Sequence, residues 1–188
     1  MEEETTARSK TMVFHERQKL QFCLLHALNN LFQEKGVFTR ADLDRIAEKL
    51  TLDDPTKQNW SPVSVVFKSH HNVITGNYDV NVLIAALETK GKSVVWHDRR
   101  SGASTIDLDG SEGDRLMGIV VNVSVRRFRG LWKGRHWITL RKLDGVWYNL
   151  DSDLRVPVPF KDIEEVREVL ESIIAGGGEV FLVMNQQL

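Results

Sequence analysis

Asp144-Gly145 stands between two runs in which apolar and polar residues alternate, His136-Trp-Ile-Thr-Leu-Arg-Lys-Leu143 and Val146-Trp-Tyr-Asn-Leu-Asp151. An Asp-Gly pair suits a two-residue type I′ turn, whose central positions both need positive φ, so the runs are expected to close as an antiparallel hairpin with Leu143 opposite Val146. Carried outward, that register sets Leu140 opposite Asn149, Ile138 opposite Asp151 and His136 opposite Asp153. Side chains alternate along a strand, so His136, Ile138, Asn149, Asp151 and Asp153 share one face. Asp151 then lies diagonal to His136, about 7–8 Å away between backbone positions and within side-chain reach. Asn149 is further off, and Asp153 is opposite His136 where the strand is expected to be ending. Trp137 points to the other face and is expected in the core.

The second informative stretch is His15 to Leu31, HERQKLQFCLLHALNNL, which holds the only cysteine in the chain. Leu24, Ala27, Leu28 and Leu31 recur at helical spacing, Leu25 and Phe32 widen the stripe, and Gly36 supplies a stop. The helix is expected to begin at or just before Cys23. A thiol there faces the unpaired N–H groups and positive dipole end of the helix, which favour the nucleophilic thiolate. Gln18, five residues upstream, carries an uncharged amide that can join the Cys23 N–H as an oxyanion hole. By itself, a lone cysteine on an apolar helix is more often a small buried hydrophobe. A partner histidine changes that balance.

A length of 188 residues fits one domain with a sizeable core. With 25 basic against 26 acidic residues, no general electrostatic case exists for nucleic acid or an anionic membrane. One cysteine closes no internal disulfide, which suits a reducing compartment. No apolar run approaches the ~18 residues of a membrane span, and Met1 to Thr11 lacks the apolar core of a signal peptide. The protein is expected to be intracellular and cytoplasmic, with the nucleus as an alternative. Asn122-Val123-Ser124 is a glycosylation sequon only by chance, since it sits in an apolar run.

In chain order, residues 1–12 read as a flexible tail and 13–188 as one domain. Thr39 looks like an N-cap for a helix with Leu43, Ile46, Ala47 and Leu50 on one face. Residues 51–75 are expected to be an irregular or short helical excursion, mobile enough to gate a cleft. His70-His71 has no thiol or carboxylate at ligand spacing, so no zinc site is expected there. Asn77 or Asp79 can cap a helix through Val80, Leu83, Ile84 and Leu87 to Gly91, and Lys92–His97 reads as a strand. After a loop over residues 98–114, Leu116–Val125 is a second strand. The basic run Arg126–Arg135 reads as a solvated connection between strands, with an acidic surface on a partner as the alternative it could meet. A helix Phe160–Ala175, Gly176-Gly177-Gly178 and a strand Glu179–Met184 close the chain. A helix followed directly by a strand points to a layered α+β arrangement.

A cysteine at a helix start, an amide donor before it, and a histidine with a carboxylate on a distant hairpin are the parts of a papain-type thiol hydrolase. The blocks HERQ…C…HALNN, GNYDVN and HWITLRK…WYNLDS, in this order and from about Phe14 to the final strand, resemble the Josephin family of deubiquitinating cysteine proteases. The resemblance is to its small members with little beyond the catalytic domain. It implies an α+β papain-like fold, a central helix packed on a small antiparallel sheet. It also implies that Cys23 is the nucleophile, His136 the general base and acid, Asp151 the orienting third member and Gln18 the oxyanion donor. One family member carries asparagine where Asp151 stands, and an aspartate holds an imidazolium at least as well.

The implied reaction is hydrolysis of the isopeptide or peptide bond at the C-terminal glycine of ubiquitin through a thioester. The alternative is a ubiquitin-binding adaptor with little turnover until activated. Ubiquitin and ubiquitinated proteins are the expected partners of a monomer that needs no cofactor and no metal. Trp137, Tyr78 and Asn77 are candidate cleft residues, with Trp137 better suited to the core.

Overall fold

The computed structural model describes residues 12–18, 22–53, 71–72, 77–110, 115–127 and 132–186. Its centre is helix α1 (Cys23–Phe32), in which every residue except Leu25 and Phe32 is buried. Full burial of Leu24, Leu28 and Leu31 stabilises the fold by about 1.5–3 kcal/mol each relative to exposure. The helix stops at Gln33, which takes the left-handed conformation at φ 58°. The expected stop was Gly36, which has φ +73° three residues later. Gln33 tolerates the unfavourable backbone because its side-chain amide accepts from Phe14 N at 3.0 Å and donates to Phe14 O at 3.1 Å and Asn30 O at 2.7 Å.

Helix α2 (Arg40–Leu52) starts with a capping box in which Thr39 and Asp42 satisfy each other's backbone N–H groups. It runs two residues into the segment expected to be irregular or short helical from residue 51. Strands β1 (His71–Asn72) and β2 (Asn77–Tyr78) form a short antiparallel pair. Residues 54–70 and 73–76, which include His70 and most of the expected gating excursion, lie outside the described residues. Asp79 is the cap of α3 (Val80–Glu88), accepting from the N–H groups of Asn81 and Val82.

A six-stranded, wholly antiparallel sheet follows, comprising β3 (Lys92–Trp96), β4 (Leu116–Arg127), β5 (Trp132–Leu143), β6 (Val146–Asn149), β7 (Val158–Pro159) and β8 (Glu179–Asn185) in the order β3-β8-β4-β5-β6-β7. Helix α4 (Ile163–Ala175) precedes β8. It starts three residues later than the apolar spacing suggested, because Asp162 caps it by accepting from Glu165 N, leaving Phe160 outside. β4 and β5 extend through Arg127 and back to Trp132. Much of the basic run is therefore paired strand rather than loop. The loop before β4 contains two short 3₁₀ turns, Arg99–Ser101 and Ala103–Thr105.

The sheet is covered on both faces. On one, α1, α2 and α3 pack against Val120, Trp137, Phe181 and Val183; on the other, α4 and the second 3₁₀ turn pack against Ile119, Val121, Leu140 and Val180. Strand alternation separates the two cores, residue by residue. The register shift in β4 between Leu116 and Gly118 brings the backbone close to α1. A Cβ on Gly118 would stand 2.7 Å from Leu31 Cδ1 and 3.0 Å from the Leu140 carbonyl oxygen. Because one of those neighbours is backbone, Gly118→Ala is expected to cost about 1–3 kcal/mol, measurable as a lower urea midpoint with an unchanged m-value.

Candidate active site

The hairpin closes at Asp144-Gly145 with both residues at positive φ, and its register is Leu143 opposite Val146 through Leu140 opposite Asn149. It does not continue to pair Ile138 with Asp151 or His136 with Asp153. After Leu150 N donates to Thr139 O at 2.8 Å, the chain curls. Asn149 Oδ1 accepts from Asp151 N at 2.9 Å, Asp151 Oδ1 accepts from Asp153 N at 2.9 Å, and Leu154 N donates to Asp151 O at 3.0 Å. Asn and Asp side chains capture the N–H two residues on, which competes with the strand ladder and ends it. The edge of β5 at His136 is thereby left to a turn instead of a strand.

That turn delivers the carboxylate. His136 Nε2 and Asp151 Oδ1 are 2.7 Å apart, and Asp153 Oδ2 lies 3.6 Å from the same nitrogen. His136 is 2% exposed. Burial pushes its pKa down, but the hydrogen bond to Asp151 and the neighbouring Cys23 sulfur outweigh this and raise it to about 10. The raised pKa favours the imidazolium, in which Nε2 donates to Asp151. Burial pushes the Asp151 carboxyl upward, yet the hydrogen bonds from His136 and Asp153 N hold it below the usual carboxylate range. The other ring nitrogen, Nδ1, is buried without a hydrogen bond of full geometry. It is the ring atom that Asp151 leaves open, and Cys23 is the other group acting on the ring.

Cys23, a free and buried thiol, opens α1. Phe22 occupies the cap position and offers no side-chain cap, and among the described residues no side chain is hydrogen-bonded to the N–H groups of the first turn. Gln18 is tied to the residue after Asp151: its backbone N–H donates to Ser152 O at 2.8 Å and its Oε1 accepts from Ser152 Oγ at 3.4 Å. Accepting at Oε1 leaves the amide Nε2 as the donor end. Residues 19–21, between Gln18 and Phe22, lie outside the described residues.

Several supporting residues were not anticipated. Asn30, fully buried, accepts from Glu16 N at 2.5 Å and donates to Glu16 O at 3.1 Å and Leu150 O at 3.0 Å. It thus binds the extended segment bearing Gln18 to the end of β6 bearing Asp151. His15 Nε2 meets Asp151 O at 2.9 Å, and Glu16 reaches Asn29 and His26. The sequence signal was present in Asn29-Asn30: two adjacent amides on an otherwise apolar helix require buried partners.

Trp137 lies in the core, its Nε1 donating to Tyr78 O at 3.1 Å. Tyr78, a candidate cleft residue, is instead 3% exposed with its hydroxyl donating to Asp44 at 2.8 Å. Burial and that carboxylate push the Tyr78 phenol well above its ordinary range. The side chain of Asn77 lies outside the described residues.

Among the described residues, the donors close enough to hold a metal ion are those of His136, Asp151 and Asp153, within 4.8 Å of one another. His136 Nε2 and Asp151 Oδ1 of that group are hydrogen-bonded to each other at 2.7 Å. No described helix is long and apolar enough to cross a membrane.

The Josephin family profile matches residues 18–184. A Josephin-like protein of Arabidopsis thaliana is 64% identical over 88% of this chain, which spans 45% of that relative's length. Josephin-2 of Homo sapiens is 37% identical over 96% of the chain, which spans 90% of it. Human ataxin-3 is 29% identical over 80% of the chain and 39% of its own length. A cysteine-headed helix on an antiparallel sheet, matched by the family profile over nearly its whole length, makes this chain a member of the Josephin family.

Proposed function

We propose that the chain is a cysteine-type ubiquitinyl hydrolase, a deubiquitinase that cleaves the isopeptide or peptide bond at the C-terminal glycine of ubiquitin. The observation that carries this is His136 Nε2 held 2.7 Å from Asp151 Oδ1, with Cys23 at the start of α1 as the other side chain that raises the ring's pKa, in a chain of this family. In the reactive form the Cys23 proton already rests on His136 as the imidazolium, and the thiolate sulfur of Cys23 attacks the glycine carbonyl carbon. The Cys23 N–H and Gln18 hold the oxyanion. His136 then protonates the leaving amine as the C–N bond breaks, leaving a thioester. Water attacks that thioester, its proton passing to His136, and the thiol is restored. All four residues come from one chain, so no second copy is required. The activity belongs to a reducing intracellular compartment, where Cys23 stays a thiol.

The test is reaction with ubiquitin bearing a C-terminal electrophile, alongside turnover of a fluorogenic ubiquitin substrate. Rapid adduct formation at Cys23 together with turnover supports the proposal. Binding without adduct makes the chain a ubiquitin-binding adaptor instead.

Asp151→Ala is expected to lower kcat/KM by about 10²-fold or more, because the imidazolium loses its orienting acceptor. Asn149→Ala removes only a support of that carboxylate and should cost less than about tenfold. Equal losses in two folded variants would contradict this assignment. The pH profile adds a sign. His136 must carry the proton, so the alkaline limb of kcat/KM falls as pH rises through about 10. In Asp151→Asn, which removes the strongest upward influence on the ring, that limb moves to lower pH.

A further inference from the structure

Two consecutive side-chain-to-backbone turns, Asn149 to Asp151 and Asp151 to Asp153, wind the chain so tightly that residues 151 and 153 arrive at the same imidazole nitrogen. Asp151 Oδ1 is 2.7 Å from His136 Nε2 and Asp153 Oδ2 is 3.6 Å from it. The second distance is too long for a hydrogen bond but short for opposite charges. Asp153 is half-exposed, so solvent screens it while Asp151 holds the N–H.

We propose that Asp153 is a second positioning carboxylate for His136, which takes over the Nε2 proton when Asp151 is withdrawn. Its Oδ2 already lies 3.6 Å from Nε2, so a shift of under about 1 Å brings it within hydrogen-bond distance when the Asp151 carboxylate is removed. The Asp153 backbone N–H already belongs to the clamp on Asp151, so the same residue supports the first carboxylate through its main chain and duplicates it through its side chain.

Among the described residues, the charged groups near the ring leave this role to Asp153. Asp151 and Asp153 come from the turn after β6 and Cys23 comes from α1. His15 reaches the Asp151 carbonyl instead of the ring. Arg135, next to His136 on β5, is engaged by Asn122 and Glu179.

This rests on the proposed hydrolase chemistry, and the experiment separates the two. Asp153→Asn preserves the backbone clamp and side-chain volume while removing the charge. Fluorogenic ubiquitin turnover is measured in four proteins: the parent, Asp153→Asn, Asp151→Ala and the double variant. Asp153→Asn is expected to lower kcat by no more than about threefold in the parent and by about tenfold or more in Asp151→Ala, with KM little changed. In parallel, the His136 titration followed by NMR should fall to lower pH in the double variant than in Asp151→Ala. Equal kcat losses in both backgrounds with coincident His136 titrations overturn the proposal. Should the parent lack turnover altogether, the hydrolase assignment fails, and the NMR titrations still decide whether Asp153 acts on the imidazole.

Discussion

Cys23→Ala is expected to eliminate turnover of ubiquitin substrates, with a loss of about 10⁴-fold or more and no burst of thioester formation. The size follows from the loss of the covalent step itself, since no other thiol exists in the chain and His136 has nothing else to activate. Stability should change little. Cys23 is 3% exposed at the mouth of α1 among apolar neighbours, and alanine keeps the helix start while deleting one small atom group. Circular dichroism and a thermal melt within a few degrees of the parent check folding, and stopped-flow turnover checks activity. Turnover surviving in a folded Cys23→Ala protein would remove Cys23 as the nucleophile.

Asn30→Ala is expected to have the second largest effect, acting through stability and geometry together. It deletes three hydrogen bonds, one buried and two part-buried, and strands the Glu16 N–H, the Glu16 carbonyl and the Leu150 carbonyl. Unsatisfied buried polar groups cost about 1–3 kcal/mol each before relaxation, so a net loss of about 2–4 kcal/mol is expected. For a domain of this size that lowers Tm by about 5–15 °C. Below its melting point the variant should also lose turnover, because Asn30 is what joins the segment carrying Gln18 to the chain entering Asp151. A melt unchanged within a degree would show that water replaces the amide and that the buried network is not what holds the two segments.

The elements marked by strong local chemistry were legible without coordinates. Thr39 and Asp79 sit at the helix starts their side chains favour, and Asp144-Gly145 sets the observed register. Leu24, Leu28 and Leu31 face the core because helical spacing puts them on one side. Some boundaries shift for a local reason, as where Asp162 caps α4, and others because a side chain from elsewhere overrides local preference. Gln33 ends α1 in a conformation usually left to glycine, because Phe14 binds its amide. Tyr78, legible only as an aromatic near the expected cleft, is buried by its partner Asp44 on α2.

The residues that compose the candidate site divide the same way. Local periodicity determined that a cysteine opens a buried helix and that a histidine and an aspartate lie near each other on one hairpin, since both depend on contacts a few residues apart. Only the tertiary structure decided how they meet. Extrapolated as an ideal ladder, the hairpin pairs His136 with Asp153; in the fold, β6 ends at Asn149 and the turn brings Asp151 to 2.7 Å from His136 and Asp153 to 3.6 Å. Competition between strand pairing and side-chain capture of the backbone sets that end point. Its outcome depends on Asn30 and His15 gripping the carbonyls of Leu150 and Asp151 from far away in the chain, an interaction no local pattern encodes.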